Sequence, residues 1–275
     1  MPSTPVTIAE TLKQASEQLR VASVPNDVLD AQTLLAEALG KDRTYLIVNF
    51  NQQLGDDLLA QYQTLITRRA SGEPLQYITG HQEFFGLEFE VTPDVLIPRP
   101  ETEHLVEAAL ARGAEAILDI GTGSGAIAVT LALETKSRVT ATDLSPAALR
   151  IARHNAQALG ARVDFVACDL GAALVDGSFD LVVSNPPYVA GRDRDSLQPE
   201  VRDREPAFAL FGGEDGLAIY RRLVPEARRL LRPGGWLMME LGDARAVREM
   251  CAGWGGVEIV NDLAGIPRVL IAKKP

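Results

Sequence analysis

The sequence predicts an α/β protein in which a mostly parallel sheet, covered by helices on both faces, follows a small all-helical domain. Three observations carry this. From Glu115 onward, short apolar runs alternate with amphipathic stretches, and repeated strand-helix units of this kind build parallel sheets. Residues 1–72 place their apolar positions at helical spacing. Between 73 and 100 the pattern changes to period two, punctuated by Pro93, Pro98 and Pro100, which marks a boundary. A chain of 275 residues has room for one large or two modest domains with a sizeable core.

Taken in order, Ile8, Leu12, Ala15 and Leu19 recur as one face of a first helix. Pro25 and Asn26 open a second, carrying Leu29, Leu34, Leu35 and Leu39, and Gly40 closes it. A short third segment lies near 45–49. A fourth spans 56–70, with Leu58, Leu59, Tyr62, Leu65 and Ile66 on one side, completing a small bundle. The run Phe84-Phe85-Gly86-Leu87-Glu88-Phe89-Glu90-Val91 predicts a hairpin turning near Gly86. Its aromatic residues and Tyr77 are expected to pack beneath it rather than face a partner. In Pro98-Arg99-Pro100-Glu101-Thr102-Glu103 the acids suit the first turn of a helix. Strands are then expected at 116–120, 138–142 and 163–166, up to Ser184, and at 236–241, 257–260 and 268–272. Helices are expected at 126–134, 146–159 and 217–231, with Ser145 capping the second and Gly160 ending it. The predicted domains are 1–72, a hairpin and linker at 73–100, and 101–275.

Composition narrows the function. Lys and Arg number 27 against 37 Asp and Glu, and the formal net charge of -10 repels a polyanion, so direct nucleic-acid binding is not expected. Even the loop holding Arg192, Arg194, Arg202 and Arg204 interleaves them with Asp193, Asp195, Glu200, Asp203 and Glu205, which is no phosphate track. Cys168 and Cys251 stand far apart, and His81, His104 and His154 are scattered. No metal site is predicted, and two unpaired thiols fit a reducing compartment. No run is long enough to span a bilayer, and the first residues lack a basic stretch followed by an apolar core, so cytoplasmic residence is the default expectation. A monomer without a membrane partner is expected alongside it.

Two motifs carry chemistry. Asp119-Ile120-Gly121-Thr122-Gly123-Ser124-Gly125 lies where the 116–120 strand turns into its helix, and glycines there let the backbone approach a ligand closely. Asp143, ending the next strand, is placed to accept bonds from two ribose hydroxyls. A glycine turn also arises for purely steric reasons, and Asp143 has a competing role as a helix cap before Ser145-Pro146. Strand, turn and spaced acid together point to a nucleoside site.

Asn185-Pro186-Pro187-Tyr188 follows the apolar run Phe179-Asp180-Leu181-Val182-Val183-Ser184. The prolines end that strand, since neither donates to a ladder and each holds its predecessor extended. The Asn185 side-chain oxygen and nearby carbonyls are left to accept N–H bonds from outside, and Tyr188 offers a flat wall. An isolated match would be only a strand-exit turn. A dinucleotide site would use the same glycine turn, but hydride transfer does not need paired acceptors facing an amino group. Moving a methyl from a sulfonium onto a planar nitrogen does. Such a nitrogen has a delocalised lone pair, and accepting both its N–H bonds with Asn185 and the Pro186 carbonyl turns it toward the methyl and favours the positive charge that develops. No strong base is needed beforehand. Cys168 lacks a histidine nearby in sequence and reads as a small core residue.

The glycine turn, Asp143 and Asn185-Pro186-Pro187-Tyr188 resemble class I S-adenosylmethionine-dependent methyltransferases of the amino-methylating branch. Gly72-Glu73-Pro74-Leu75-Gln76-Tyr77-Ile78-Thr79-Gly80, the segment Leu96-Ile97-Pro98-Arg99-Pro100-Glu101-Thr102-Glu103 and the helical N-terminus are similar to the HemK/PrmC glutamine-N5 methyltransferases of peptide chain release factors. The resemblance spans nearly the whole chain. It implies a Rossmann-like methyltransferase fold, S-adenosylmethionine as methyl donor, S-adenosylhomocysteine as product, and the glutamine of the Gly-Gly-Gln loop of a bacterial release factor as substrate, held with help from the helical domain. It further implies Asp119 and Gly121, Thr122, Gly123, Ser124 and Gly125 around the methionine part of the cofactor, Asp143 on its ribose, and Asp169 toward the adenine amino group with Leu170 beside the ring. Asn185 and Pro186 would grip the glutamine amide, with Pro187 and Tyr188 walling it in. Leu170 departs from some relatives with an aromatic residue there, which leaves adenine stacking either weaker or supplied by Leu144. Arg99 and Glu101 border the expected substrate entrance or simply start a helix. A ribosomal-protein glutamine, an exocyclic amine in ribosomal RNA or DNA, and a non-catalytic cofactor-binding module are the rival readings.

Overall fold

The computed structural model describes residues 6–275; residues 1–5, over which the sequence predicts no targeting segment, lie outside the described residues. The chain divides into two compact units, Met1–Gly80 with Pro199–Arg204, and His81–Gln198 with Glu205–Pro275.

In the first unit, α1 (Ile8–Val21) starts at Thr7, whose hydroxyl accepts from the Glu10 amide while the Glu10 carboxylate accepts from the Thr7 amide, a reciprocal cap. The second helix, α2 (Asp27–Leu39), stops at Gly40, which takes the left-handed conformation with φ of 60°. Asp42 caps α3 (Arg43–Val48), and α4 (Asp56–Ala70) completes the bundle. Ile8, Leu19, Leu34, Leu35, Tyr62 and Ile66 interdigitate in one core. Leu29 faces outward, because the inward stripe of α2 carries Asp30 and Ala31. Buried Asp30 meets buried Arg69 at 2.7 Å, and Arg69 also reaches Glu200. Removing one partner of such a pair leaves a lone buried charge and costs about 3–5 kcal/mol. Where alternation was expected after residue 72, the chain first makes a further helical turn, α5 (Leu75–Thr79), entered from Pro74 and ended by Gly80 at φ of 83°.

The second unit opens with the hairpin β1 (His81–Phe84) and β2 (Leu87–Glu90). Phe84 and Phe89 are fully buried edge to face, centroids 6.1 Å apart, as packing residues should be. A 3-10 turn at Pro100–Thr102 leads into α6 (Glu103–Leu110). There follow β3 (Ala116–Ile120), α7 (Ala126–Glu134), β4 (Arg138–Asp143), α8 (Pro146–Leu159), β5 (Val163–Ala167) and β6 (Phe179–Ser184). The chain continues through the short helix α9 (Pro199–Arg204), which belongs to the first unit, then α10 (Ala207–Leu210), α11 (Ala218–Leu230), β7 (Leu231–Glu240), α12 (Ala244–Met250), β8 (Gly255–Asn261) and β9 (Pro267–Lys273).

The 7-stranded sheet has the order β5-β4-β3-β6-β7-β9-β8. Strands β3 to β7 run parallel, and β9 and β8 close the edge antiparallel. Residues alternate strictly between faces: Ile117, Leu181, Met238 and Ile271 enter one core, and Leu118, Val182, Met239 and Leu270 the other. Truncating Leu118 to Ala would open a cavity in the second core at a cost of about 2–5 kcal/mol. β7 begins at Leu231, earlier than its apolar run, because residues 232–235 bulge out between the Phe179–Leu231 and Leu181–Trp236 pairs. Among the described residues no helix is long and apolar enough to cross a membrane. The strand order reverses between β3 and β6, and sheets of this kind bind ligands in the crevice beyond the carboxyl ends at that reversal.

Candidate active site

At the end of β3 the chain turns so that the Gly121 and Thr122 amides both donate to the Thr142 carbonyl on neighbouring β4, at 2.9 and 3.0 Å. Gly121, Gly123 and Gly125 all have positive φ, which L-residues adopt only with strain. At Gly125 a Cβ would also come within 3.1 Å of Ala152, so this glycine seats α7 against α8. Asp143 accepts from the Gly123 amide at 2.9 Å with one oxygen and from the Ser145 amide at 2.8 Å with the other. Capping of α8 falls to the Ser145 hydroxyl, which accepts from Ala148. Asp143 is thereby oriented with one lone pair on each oxygen still available for hydroxyl donors.

Asp119 is fully buried beneath the turn. Its Oδ2 accepts from the Thr122 hydroxyl at 2.6 Å, while Oδ1 is buried without a partner. Burial pushes its carboxyl up to about 7, with the Asp143 charge adding to the rise, against the Thr122 hydroxyl and the nearby Ala128 amide of α7, which favour the ionised form. An unpartnered buried acceptor of this kind suits a cationic donor.

A cavity of about 370 Å³ opens beyond the strand ends. Gly121, Gly123, Asp143, Asp169, Leu170, Asn185, Pro186 and Pro187 all line it, so most of the expected site residues converge there. Asp119 and Gly125 instead support the turn from behind, and Thr122 and Ser124 border a smaller neighbouring cavity with Arg99 and Thr102. Tyr188 borders a third cavity, with Arg99, Asn185, Pro186 and Val189. Asn185 lines all three. At the adenine end expected from the resemblance, Asp169 is bonded to Arg222 at 2.5 Å, Leu170 sits at a strained φ of 50°, and Leu144 and Phe208 supply apolar wall. Cys168, expected in the core, is instead half-buried on the wall of this cavity, where its thiol donates to the Leu170 carbonyl at 3.4 Å; both cysteines are free.

Sequence reasoning missed what holds the Asn185 loop. The Asn185 amide nitrogen donates to the Thr102 hydroxyl at 3.1 Å, and that hydroxyl donates to Glu240 Oε2 at 2.6 Å. The Tyr188 hydroxyl donates to Glu240 Oε1 at 3.1 Å. Burial raises the Glu240 carboxyl above the usual range, opposed by the Thr102 and Tyr188 hydrogen bonds. Among the described residues neither Asn185 Oδ1 nor the Pro186 carbonyl accepts a hydrogen bond. Glycines crowd the loop from outside: a Cβ on Gly212 would lie 2.5 Å from the Pro187 carbonyl oxygen, one on Gly216 would lie 2.4 Å from that of Tyr188, and one on Gly242 would lie 2.9 Å from the Tyr188 ring. The only sequence signals were a lone acid ending the apolar run Leu237-Met238-Met239-Glu240 and the spacing of Gly212, Gly213 and Gly216. Arg99, bordering both small cavities, pairs with buried Glu205, while Glu101 faces Arg268 at 3.7 Å.

Among the described residues no cluster of His, Cys, Asp and Glu could hold a metal. The array offers a glycine turn with Asp143 lining a cavity and Asp119 buried under the turn, and on the cavity wall Asn185 and Pro186, whose Oδ1 and carbonyl accept no bond among the described residues.

Comparison with known proteins is consistent in direction. The family described as PrmC N-terminal domain matches residues 10–80, and that described as methyltransferase small domain matches residues 100–201. A release factor glutamine methyltransferase of Koribacter versatilis is 47% identical, the match covering 98% of this chain and 99% of that one. One of Geobacter sulfurreducens is 50% identical over 87% and 86% of the two chains. Among solved structures, a methyltransferase from Pyrococcus furiosus aligns with a TM-score of 0.55 at 24% identity, covering 78% of this chain and 98% of that one, a likeness of fold.

Proposed function

We propose, from the premise that this chain belongs to the family of release factor glutamine methyltransferases, that it transfers a methyl group from S-adenosylmethionine to the side-chain amide nitrogen, N5, of the glutamine in the Gly-Gly-Gln loop of a bacterial release factor. The observation that carries the reading is the Asn185 loop, where two free oxygens stand on the wall shared by the large cavity and the cavity beside Tyr188.

The residues present fit the cofactor. Asp143 keeps acceptor capacity for a ribose, the Asp119 oxygen without a partner suits the ammonium of the methionine part, and Leu144, Leu170 and Phe208 offer apolar surface to a base. When bound, S-adenosylmethionine supplies a methyl group made electrophilic by its sulfonium. Asn185 Oδ1 and the Pro186 carbonyl accept the two N–H bonds of the glutamine carboxamide and fix the nitrogen in the orientation of attack. Their partial negative charge favours the positive charge that grows on nitrogen as the new bond forms. Tyr188 and Pro187 wall the carboxamide and keep water from competing. The surplus proton becomes acidic only after the methyl has bonded, so no side chain has to remove it beforehand. Gly121 to Gly125, Asp169 and Leu170 complete the cofactor site in this reading, residues 1–72 form the substrate-recognition domain, and the enzyme works in the cytoplasm as a monomer on a protein substrate.

The test offers isotopically labelled S-adenosylmethionine to a release factor, a ribosomal protein and oligonucleotides in parallel, then maps the label by mass spectrometry. Label on the glutamine of the release factor is expected. Label confined to ribosomal protein or to a nucleobase would replace the proposed substrate.

A further inference from the structure

Asn185 can work as an acceptor only if its carboxamide is turned the right way, and its two ends are nearly the same shape. What decides the orientation is the polarity of its partner. Thr102 carries a single hydroxyl proton and gives it to Glu240 Oε2 at 2.6 Å, so toward Asn185 it has only lone pairs to offer. The Asn185 nitrogen must then face Thr102, where it lies at 3.1 Å, and Oδ1 must face away. Glu240 in its ionised form sets this polarity, since a carboxylate accepts and never donates, and the Thr102 and Tyr188 hydroxyls that both donate to it favour that form against the burial that opposes it. Its other oxygen takes the Tyr188 hydroxyl at 3.1 Å. Thr102 and Glu240 are only 4% and 2% exposed, so water does not compete for these bonds. The backbone that carries this side chain is fixed, because the Glu240 main-chain carbonyl accepts from the Tyr220 hydroxyl at 2.6 Å and its strand pairs with β9 at Val269.

We infer that Glu240 and Thr102 are positioning residues for methyl transfer: a buried relay that presents the Asn185 oxygen, rather than its nitrogen, to the substrate amide, and that holds Tyr188 beside it. The inference rests on the reading of Asn185 as the amide-orienting residue. Neither residue lines the 370 Å³ cavity; Thr102 borders the smaller one beside it together with Asn185, and Glu240 borders neither.

A merely structural role and the relay predict opposite rankings of two variants. Thr102→Val keeps shape and loses the hydroxyl; Thr102→Ser keeps the hydroxyl and loses a methyl. The relay predicts that Thr102→Val lowers kcat about 10-fold to 100-fold, while KM for the release factor and Kd for the cofactor stay within about twofold. Thr102→Ser should stay within about threefold of the parent on all three. Valine outperforming serine would overturn the relay in favour of packing. A second readout needs neither substrate nor activity: the side-chain amide signals of Asn185, identified by their loss in Asn185→Ala, should move in Thr102→Val and stay in place in Thr102→Ser. If Thr102→Val does not fold, Glu240→Gln decides, since its amide nitrogen can donate toward Thr102 and reverse the polarity. An unchanged kcat together with unmoved Asn185 signals in that variant would sink the inference. A parent enzyme that leaves release factor unlabelled would refute the proposed function, while the amide signals would still judge the relay.

Discussion

The two halves of the site are built differently. The glycine-turn half is held largely through backbone amides within residues 119–145: Gly121 and Thr122 bond Thr142, Thr122 bonds Asp119, and Asp143 bonds Gly123 and Ser145. The Asn185 half is gathered from separate stretches, with Thr102, Asn185 to Tyr188, Gly212 to Gly216, and Glu240 to Gly242 brought together by side chains and close contact. A local, backbone-built site should lose binding when disturbed and keep its shape. An assembled one should lose chemistry while binding survives. The sharpest way to break this contrast is Asn185→Ala. By removing one of two oriented acceptors it should lower kcat about 100-fold to 1000-fold, the cost usual for one preorganised partner of a developing charge. Cofactor affinity measured by calorimetry should remain nearly that of the parent. If affinity collapses along with kcat, the two halves are one site and the contrast is lost.

The converse change is Asp143→Ala. Hydrogen bonds to a charged acceptor contribute about 1.5–3 kcal/mol each, so cofactor Kd should rise about 10-fold to 100-fold while kcat at saturating cofactor falls far less. An unchanged Kd would remove Asp143 from the cofactor site.

The same difference explains what could be read in advance. The helices 126–134 and 146–159 and the strand 116–120 coincide with the observed α7, α8 and β3, because short apolar runs divided by a glycine turn, and the Ser145 cap and Gly160 stop of α8, are local signals. The glycine turn and Asp143 were legible for the same reason. Glu240 was not, since a single acid at the end of an apolar strand says nothing about a threonine far earlier in the chain until the sheet and α6 bring them together. Asp30 and Arg69 were hidden likewise, a charge on each of two helices whose apolar stripes otherwise account for the bundle. Gly212, Gly216 and Gly242 matter only because the Asn185 loop passes within contact of them. Helix α5 was masked by the proline and glycine that flank it, which read as punctuation.

Gly242→Ala sharpens the contrast by touching the assembled half alone. The new methyl would meet the Tyr188 ring at 2.9 Å, closer than carbon atoms tolerate, and the ring must yield. If Tyr188 walls the substrate as proposed, a displacement below 1 Å should lower kcat about 10-fold, with cofactor Kd unchanged. Steady-state kinetics and calorimetry on one preparation check this. Full activity in the variant would show that the position of Tyr188 is not needed for transfer.

The smallest expected effect lies in the backbone-built half and depends on pH. Burial holds the Asp119 carboxyl up to about 7, far above the value of an unfolded chain. Its proton is therefore bound more tightly in the folded protein, so the associated stability is fully present below the unfolded value and lost as pH rises through about 7. Cofactor affinity should run the other way, because the ionised form attracts the cationic methionine end that the neutral form does not. Between about pH 6 and pH 8, Kd should fall about threefold to tenfold while the melting temperature of the ligand-free protein declines. Asp119→Asn removes the titration and should flatten both curves. A slope in Kd that persists in this variant would assign the pH dependence to another group and leave Asp119 as a support for the Thr122 turn alone.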